Sequence, residues 1–126
     1  MRRRSGGVSP TLQAGGSMFK VIAGLTLSMG MAATAAAQDA KVAHGQKVYA
    51  DQKCSICHSI GGTGNKKGPL DGVGTKLKAD EIRAWMVDAK GMTEKTKSAR
   101  KPPMKSYVLP KEDLDALVAY MMTLKK

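Results

Sequence analysis

The sequence predicts an all-α fold: about four short helices joined by glycine-rich loops that wrap around something other than side chains. Three observations carry this. Apolar residues recur at helical spacing in separate segments, and no strand of useful length alternates. The connecting segments are punctuated by glycine, notably Gly61-Gly62-Thr63-Gly64 and Gly68-Pro69-Leu70-Asp71-Gly72-Val73-Gly74. Aromatic residues are scarce: the lone Phe19 sits in the first third, leaving Trp85, Tyr49, Tyr107 and Tyr120 for the rest. A chain this short makes a marginal hydrophobic core and usually needs a staple.

The 126 residues leave room for one domain. The first third reads differently from the remainder. Lys20 is followed by an uncharged run, Val21 to Gln38, that ends in small residues, with Ala35-Ala36-Ala37 as an A-x-A type cleavage site. A basic start, a short apolar stretch and small residues before the cut define a secretory signal peptide. The division expected is a leader over residues 1–37 and a folded domain over 38–126. Met18 is the expected start, which makes residues 1–17 an upstream extension with no fold of its own. An uncleaved anchor is the competing reading. The run is at the short edge of the roughly 20 residues that span a bilayer, so cleavage and no stable membrane insertion are expected.

Three helices follow from periodicity. Residues 40–52 place Val42, Gly45, Val48 and Tyr49 on one side, and the helix-weakening Gly45 implies a close crossing by another helix. Residues 78–90 carry Ile82, Trp85, Met86 and Ala89 on one stripe, with Gly91 as a stop signal. Residues 110–126 open on Pro110 with Glu112, Asp113 and Asp115 behind it. They close on Lys125 and Lys126, with Leu114, Leu117, Val118, Met121 and Leu124 as the stripe.

The only two cysteines lie in Cys54-Ser55-Ile56-Cys57-His58. Three chemistries share this spacing. C-x-x-C-H is the signature of covalent haem attachment: two thiols reach the two vinyl groups, and the adjacent imidazole meets the iron. A thioredoxin-like redox pair needs a βαβ setting that this sequence lacks. A structural zinc site needs four ligands, and only His44, ten residues upstream, is left to supply one. One covalently attached haem c with its iron is the reading adopted, and export agrees with it. His44 is read as a surface histidine near the start of a helix with no role at the iron.

Taken together, the chain resembles the small bacterial monohaem class I cytochromes c over essentially all of residues 38–126. Gly45 with Tyr49, and Leu117 with Tyr120, are similar to that family's crossing of N- and C-terminal helices. Cys54 through His58 match its attachment motif. The resemblance implies the cytochrome c fold. It also implies that Gly68-Pro69 supplies the proline carbonyl that accepts a hydrogen bond from His58, the proximal ligand. It further implies a distal methionine, a soft, weak ligand that raises the potential.

Five methionines follow the leader. Met86, Met121 and Met122 fall on helical stripes and read as core packing. Met92 and Met104 fall in expected loops. Met104 is preferred, because Pro102 and Pro103 stiffen its approach and the family's ligand lies in this loop. Trp85 is a candidate for packing against the haem or for donating its indole N–H to a propionate. Arg83, Arg100 and Tyr107 are further propionate candidates.

Four of the 21 basic residues lie in the leader, so 17 oppose all 10 acidic residues in the remainder, a net charge of +7. Such a field favours acidic partners. The lysines are spread along an exported chain, so nucleic acid is not expected. The expectation is a monomeric, non-enzymatic periplasmic carrier. It would pass one electron at a time between respiratory or dehydrogenase partners and dock acidic redox proteins through Lys53, Lys66, Lys67, Lys101 and Lys105. The alternatives are a tightly held haem subunit of a multisubunit enzyme, or a haem-based sensor.

Overall fold

The computed structural model describes residues 19–126, with side chains from residue 34 onward. The expected 1–17 extension and most side chains of the leader therefore lie outside the described residues. Among those described, no helix is long and apolar enough to cross a membrane. The chain divides after Thr34, and the unit from Ala35 onward carries the features that follow.

The elements in chain order are α1 (Phe19–Asp51), a 3₁₀ turn (Cys54–Ile56), β1 (Ser59–Ile60), β2 (Thr63–Gly64), α2 (Val73–Lys76), α3 (Ala79–Val87), α4 (Ala89–Thr96) and α5 (Lys111–Thr123). The helix expected over 40–52 is the last part of α1, and Ala35 to Ala37 are helical and exposed. Gly45 is buried where α1 meets α5: a Cβ there would overlap the Ala116 carbonyl and come within 2.8 Å of Tyr120 Cβ. The Tyr49 and Tyr120 rings meet edge-on beside it, 6.0 Å apart at 77°. His44 closes the crossing from outside, its Nε2 2.7 Å from Asp113 Oδ1.

The helix expected over 78–90 breaks at Asp88 into α3 and α4. Asp88 turns at φ −137°, ψ 59°, and its carboxylate accepts from Gly91 N at 3.0 Å, so it caps α4. Gly91 is thus not a stop. It sits in the first turn of a new helix, where a Cβ would overlap the capping carboxylate. This also moves Met92 out of a loop and into α4, where it is buried.

The glycine-rich loop over 68–74 runs into the single-turn helix α2. Gly74 N donates to Leu124 O at 3.0 Å, and a Cβ at Gly74 would come within 2.6 Å of the Met122 carbonyl oxygen. Helix α5 ends at Thr123, so Lys125 and Lys126 lie past its last turn. β1 and β2 form a two-residue antiparallel pair, Ser59 with Gly64 and Ile60 with Thr63, around Gly61 and Gly62 at φ 57° and 81°. The core gathers Val48, Ile82, Met86, Leu114, Leu117, Val118 and Met121. No large side chain among the described residues is fully buried.

Candidate haem site

That shortfall of burial has a location. A cavity of about 460 Å³ opens between the 3₁₀ turn, α3, α5 and the segment before α5. Ile82, Met86, Leu117 and Met121 turn from the core to form its apolar floor, and Cys54, His58 and Met104 line it as well. The size and the apolar wall with a few donors are those of a cofactor site.

The attachment motif is held by its own backbone. Lys53 at φ 55° turns the chain out of α1, and Ile56 N donates to Lys53 O at 3.1 Å. Cys57 N and His58 N both donate to Cys54 O, at 3.1 and 2.9 Å. This single turn sets Cys54 and His58 on the cavity wall. Cys57 is exposed and is not among the lining residues. Burial pushes the Cys54 thiol up in pKa, with neighbouring Lys105 opposing. Asn65, which sequence reasoning passed over, pins the turn from below. Its backbone N–H faces the carbonyls of Ser55 and His58, both at 3.0 Å, and its Nδ2 donates to Ile56 O at 3.0 Å. An asparagine directly after a glycine run was the available signal, since its side chain bonds local backbone readily.

His58 is half-buried, with Nδ1 3.0 Å from Gly68 O. The acceptor is therefore the carbonyl of Gly68 and not that of Pro69. The reason is that Ser59 N also donates to Gly68 O, at 3.1 Å, and so turns that carbonyl toward the motif. Pro69 lines the cavity instead. A proton on Nδ1 leaves Nε2 with its lone pair, as a metal ligand requires. Burial lowers the pKa of His58, opposed by the Gly68 hydrogen bond and helped by Arg100, so the imidazole is neutral and ready to coordinate.

Across the cavity, Met104 is half-buried against the core. Two hydrogen bonds secure the residues after it: Tyr107 N donates to Met86 O at 2.7 Å, and Ala89 N donates to Ser106 Oγ at 3.0 Å. Ser106 was not singled out in the sequence. Met92 does not line the cavity. Trp85, Arg100 and Tyr107 do, whereas Arg83 is turned to Asp115 on α5 and is not at the cavity. Lys76, a cation that sequence reasoning missed, joins the lining. The five lysines expected to face partners are all exposed, with Lys105 Nζ 5.0 Å from the centre of the Tyr107 ring.

The family model for cytochrome c matches residues 42–125. The chain belongs to the cytochrome c family. It carries covalently bound c-type haem with iron, the family's work is haem-based electron transfer, and its all-α fold is that of a small class I cytochrome c. The chain is also similar to cytochrome c oxidase subunit 2 of Alkalihalophilus pseudofirmus, at 28% identity over 90 residues. That match covers 64% of this chain and 25% of the relative, so the chain spans about a quarter of that protein's length. No solved structure matches it at a significant level.

Proposed function

We propose that this cytochrome c is a periplasmic one-electron carrier and not an enzyme, with Cys54 and Cys57 as the thioether attachment points and His58 and Met104 as the axial iron ligands. The observation that carries the reading is that one cavity has Cys54 and the ordered imidazole of His58 on one wall and, on another, Met104, the only loop methionine among the described residues. When bound, the haem supplies a one-electron Fe(III)/Fe(II) couple. The chain's own residues do the rest. Gly68 O holds the His58 tautomer. The Met86 and Ser106 contacts hold the segment that presents Met104. The apolar wall of Ile82, Met86, Leu117 and Met121 excludes water. The exposed lysines draw in acidic redox partners at a small, transient interface, and the basic leader with its Ala35–Ala37 cut supports export.

The deciding experiment is spectroscopy and potentiometry of the mature protein beside Met104→Ala. Loss of the methionine–iron charge-transfer band and a fall in potential are expected. An unchanged spectrum removes Met104 from the site.

The similarity to an oxidase subunit favours a second reading, a haem-bearing subunit of a multisubunit redox enzyme. The native size of the protein separates the two. A free monomer that does not bind carbon monoxide when reduced fits the carrier, and co-purification in a stable complex fits the subunit.

A further inference from the structure

Arg100 connects the two sides of the site. It stands four residues before Met104, yet its Nη2 donates to the carbonyl of Cys57, inside the attachment motif. Its guanidinium also lies against Gly68: a Cβ on Gly68 would overlap both terminal nitrogens. Gly68 is the residue whose carbonyl holds His58. One side chain from the methionine segment therefore braces the cysteine turn and the backbone that orients the proximal histidine, while itself lining the cavity. Among the described residues no carboxylate pairs with Arg100.

We propose that Arg100 is a positioning residue that clamps the methionine segment to the proximal segment and, through its charge, raises the potential of the iron. The inference rests on His58 and Met104 as the axial ligands.

Two physical effects are involved, and they separate. A fixed cation beside the site disfavours the additional positive charge of Fe(III), so it favours the reduced state. The charge-assisted hydrogen bond to Cys57 O links two segments 43 residues apart, so the methionine segment cannot open without breaking it. Arginine suits both effects: its guanidinium is planar, permanently charged and weakly hydrated, whereas lysine keeps the charge but holds its water.

The test uses the mature holoprotein with Arg100→Gln and Arg100→Lys, reading the potential and the rate at which cyanide displaces the distal ligand of the ferric protein. In R100Q the potential falls and cyanide exchange accelerates by about tenfold or more, the effect of losing one charged hydrogen bond. In R100K the potential returns toward the unmodified value, while exchange stays faster than in the unmodified protein. Potential and exchange rate both unchanged in R100Q overturn the proposal. So does an equal fall in potential in R100Q and R100K, which assigns no part to charge. If R100Q does not fold, unmodified exchange in R100K overturns the clamp. If the unmodified protein lacks the methionine band, the ligand reading fails by itself, and the potentials of the two variants still decide the role of the charge.

Discussion

The segment from Lys53 to Leu70 and the segment from Ser98 to Pro110 face each other across the cavity, and they are held in opposite ways. The first is bonded internally at nearly every step: the 3₁₀ turn, Asn65 under it, the short β1–β2 pair, and Gly68 O receiving both His58 and Ser59 N. The second has no regular structure and is anchored by isolated contacts, Arg100 at one end and Ser106 and Tyr107 at the other. A covalently attached, permanent ligand set suits a pre-ordered frame. The weak thioether ligand we propose at Met104 suits a segment held by a few bonds, because its release would then depend on those bonds individually. The difference teaches that the proximal wall is shaped by local backbone chemistry and the distal wall by tertiary contacts.

The largest effect expected from breaking this arrangement is on the fold itself. Replacing Cys54 and Cys57 together by serine removes covalent attachment, and with it the group that fills the cavity of about 460 Å³. With no large side chain fully buried among the described residues, little else holds the domain. Loss of haem absorbance together with loss of cooperative thermal unfolding is expected. A cooperative transition in the haem-free variant would show that the apolar wall folds unaided.

The same contrast decides what was legible in the sequence. Much of what is local on the proximal side could be read: the motif, the glycine turn and, through the family resemblance, an ordering carbonyl in the Gly68-Pro69 pair, whereas Asn65 was passed over. The specific carbonyl could not be read, because it depends on how Ser59 N turns the peptide of Gly68 toward the motif. On the other side the prolines and the place before the last helix singled out Met104, which lines the cavity. Ser106 and the Arg100 contact were not, since each bonds a partner far along the chain. Gly91 misled because a glycine that ends a helix and a glycine that lets a capping carboxylate approach look identical in sequence. Arg83 misled for a related reason: its partner Asp115 is 32 residues away.

A smaller effect distinguishes the two walls directly. Asn65→Ala removes a side-chain bond to Ile56 O and one from Lys67 N, and Ser106→Ala removes the acceptor of Ala89 N. Each is expected to cost about 1–2 kcal/mol in denaturant unfolding, the ordinary worth of such bonds. Their local consequences differ. Ser106→Ala should speed displacement of the distal ligand, and Asn65→Ala should leave that rate near the unmodified one. Equal acceleration by both would erase the distinction between a locally held and a tertiary-held wall.

The smallest expected effect concerns pH and reaches the distal wall indirectly. Asp115 on α5 accepts from Lys111 and from Arg83 of α3, and these two hydrogen bonds hold its carboxyl down at about 2, below the ordinary carboxylate value of 3.8. A folded-state value below the unfolded one means that the ionised pair stabilises the protein above the ordinary carboxylate range. That contribution is lost as pH falls from about 4 toward about 2. Asp115→Asn should therefore be less stable than the unmodified protein at neutral pH, with the gap closing over that acid window. Because Met86 of α3 receives Tyr107 N, loosening α3 from α5 slackens the anchor of the methionine segment before it touches the cysteine turn. At neutral pH the Asn variant should show slightly faster cyanide exchange with an unchanged visible band from the attached haem. If exchange instead matches the unmodified protein while stability falls, α3 carries the fold without transmitting strain to Met104, and the distal wall depends on Arg100 and Ser106 alone.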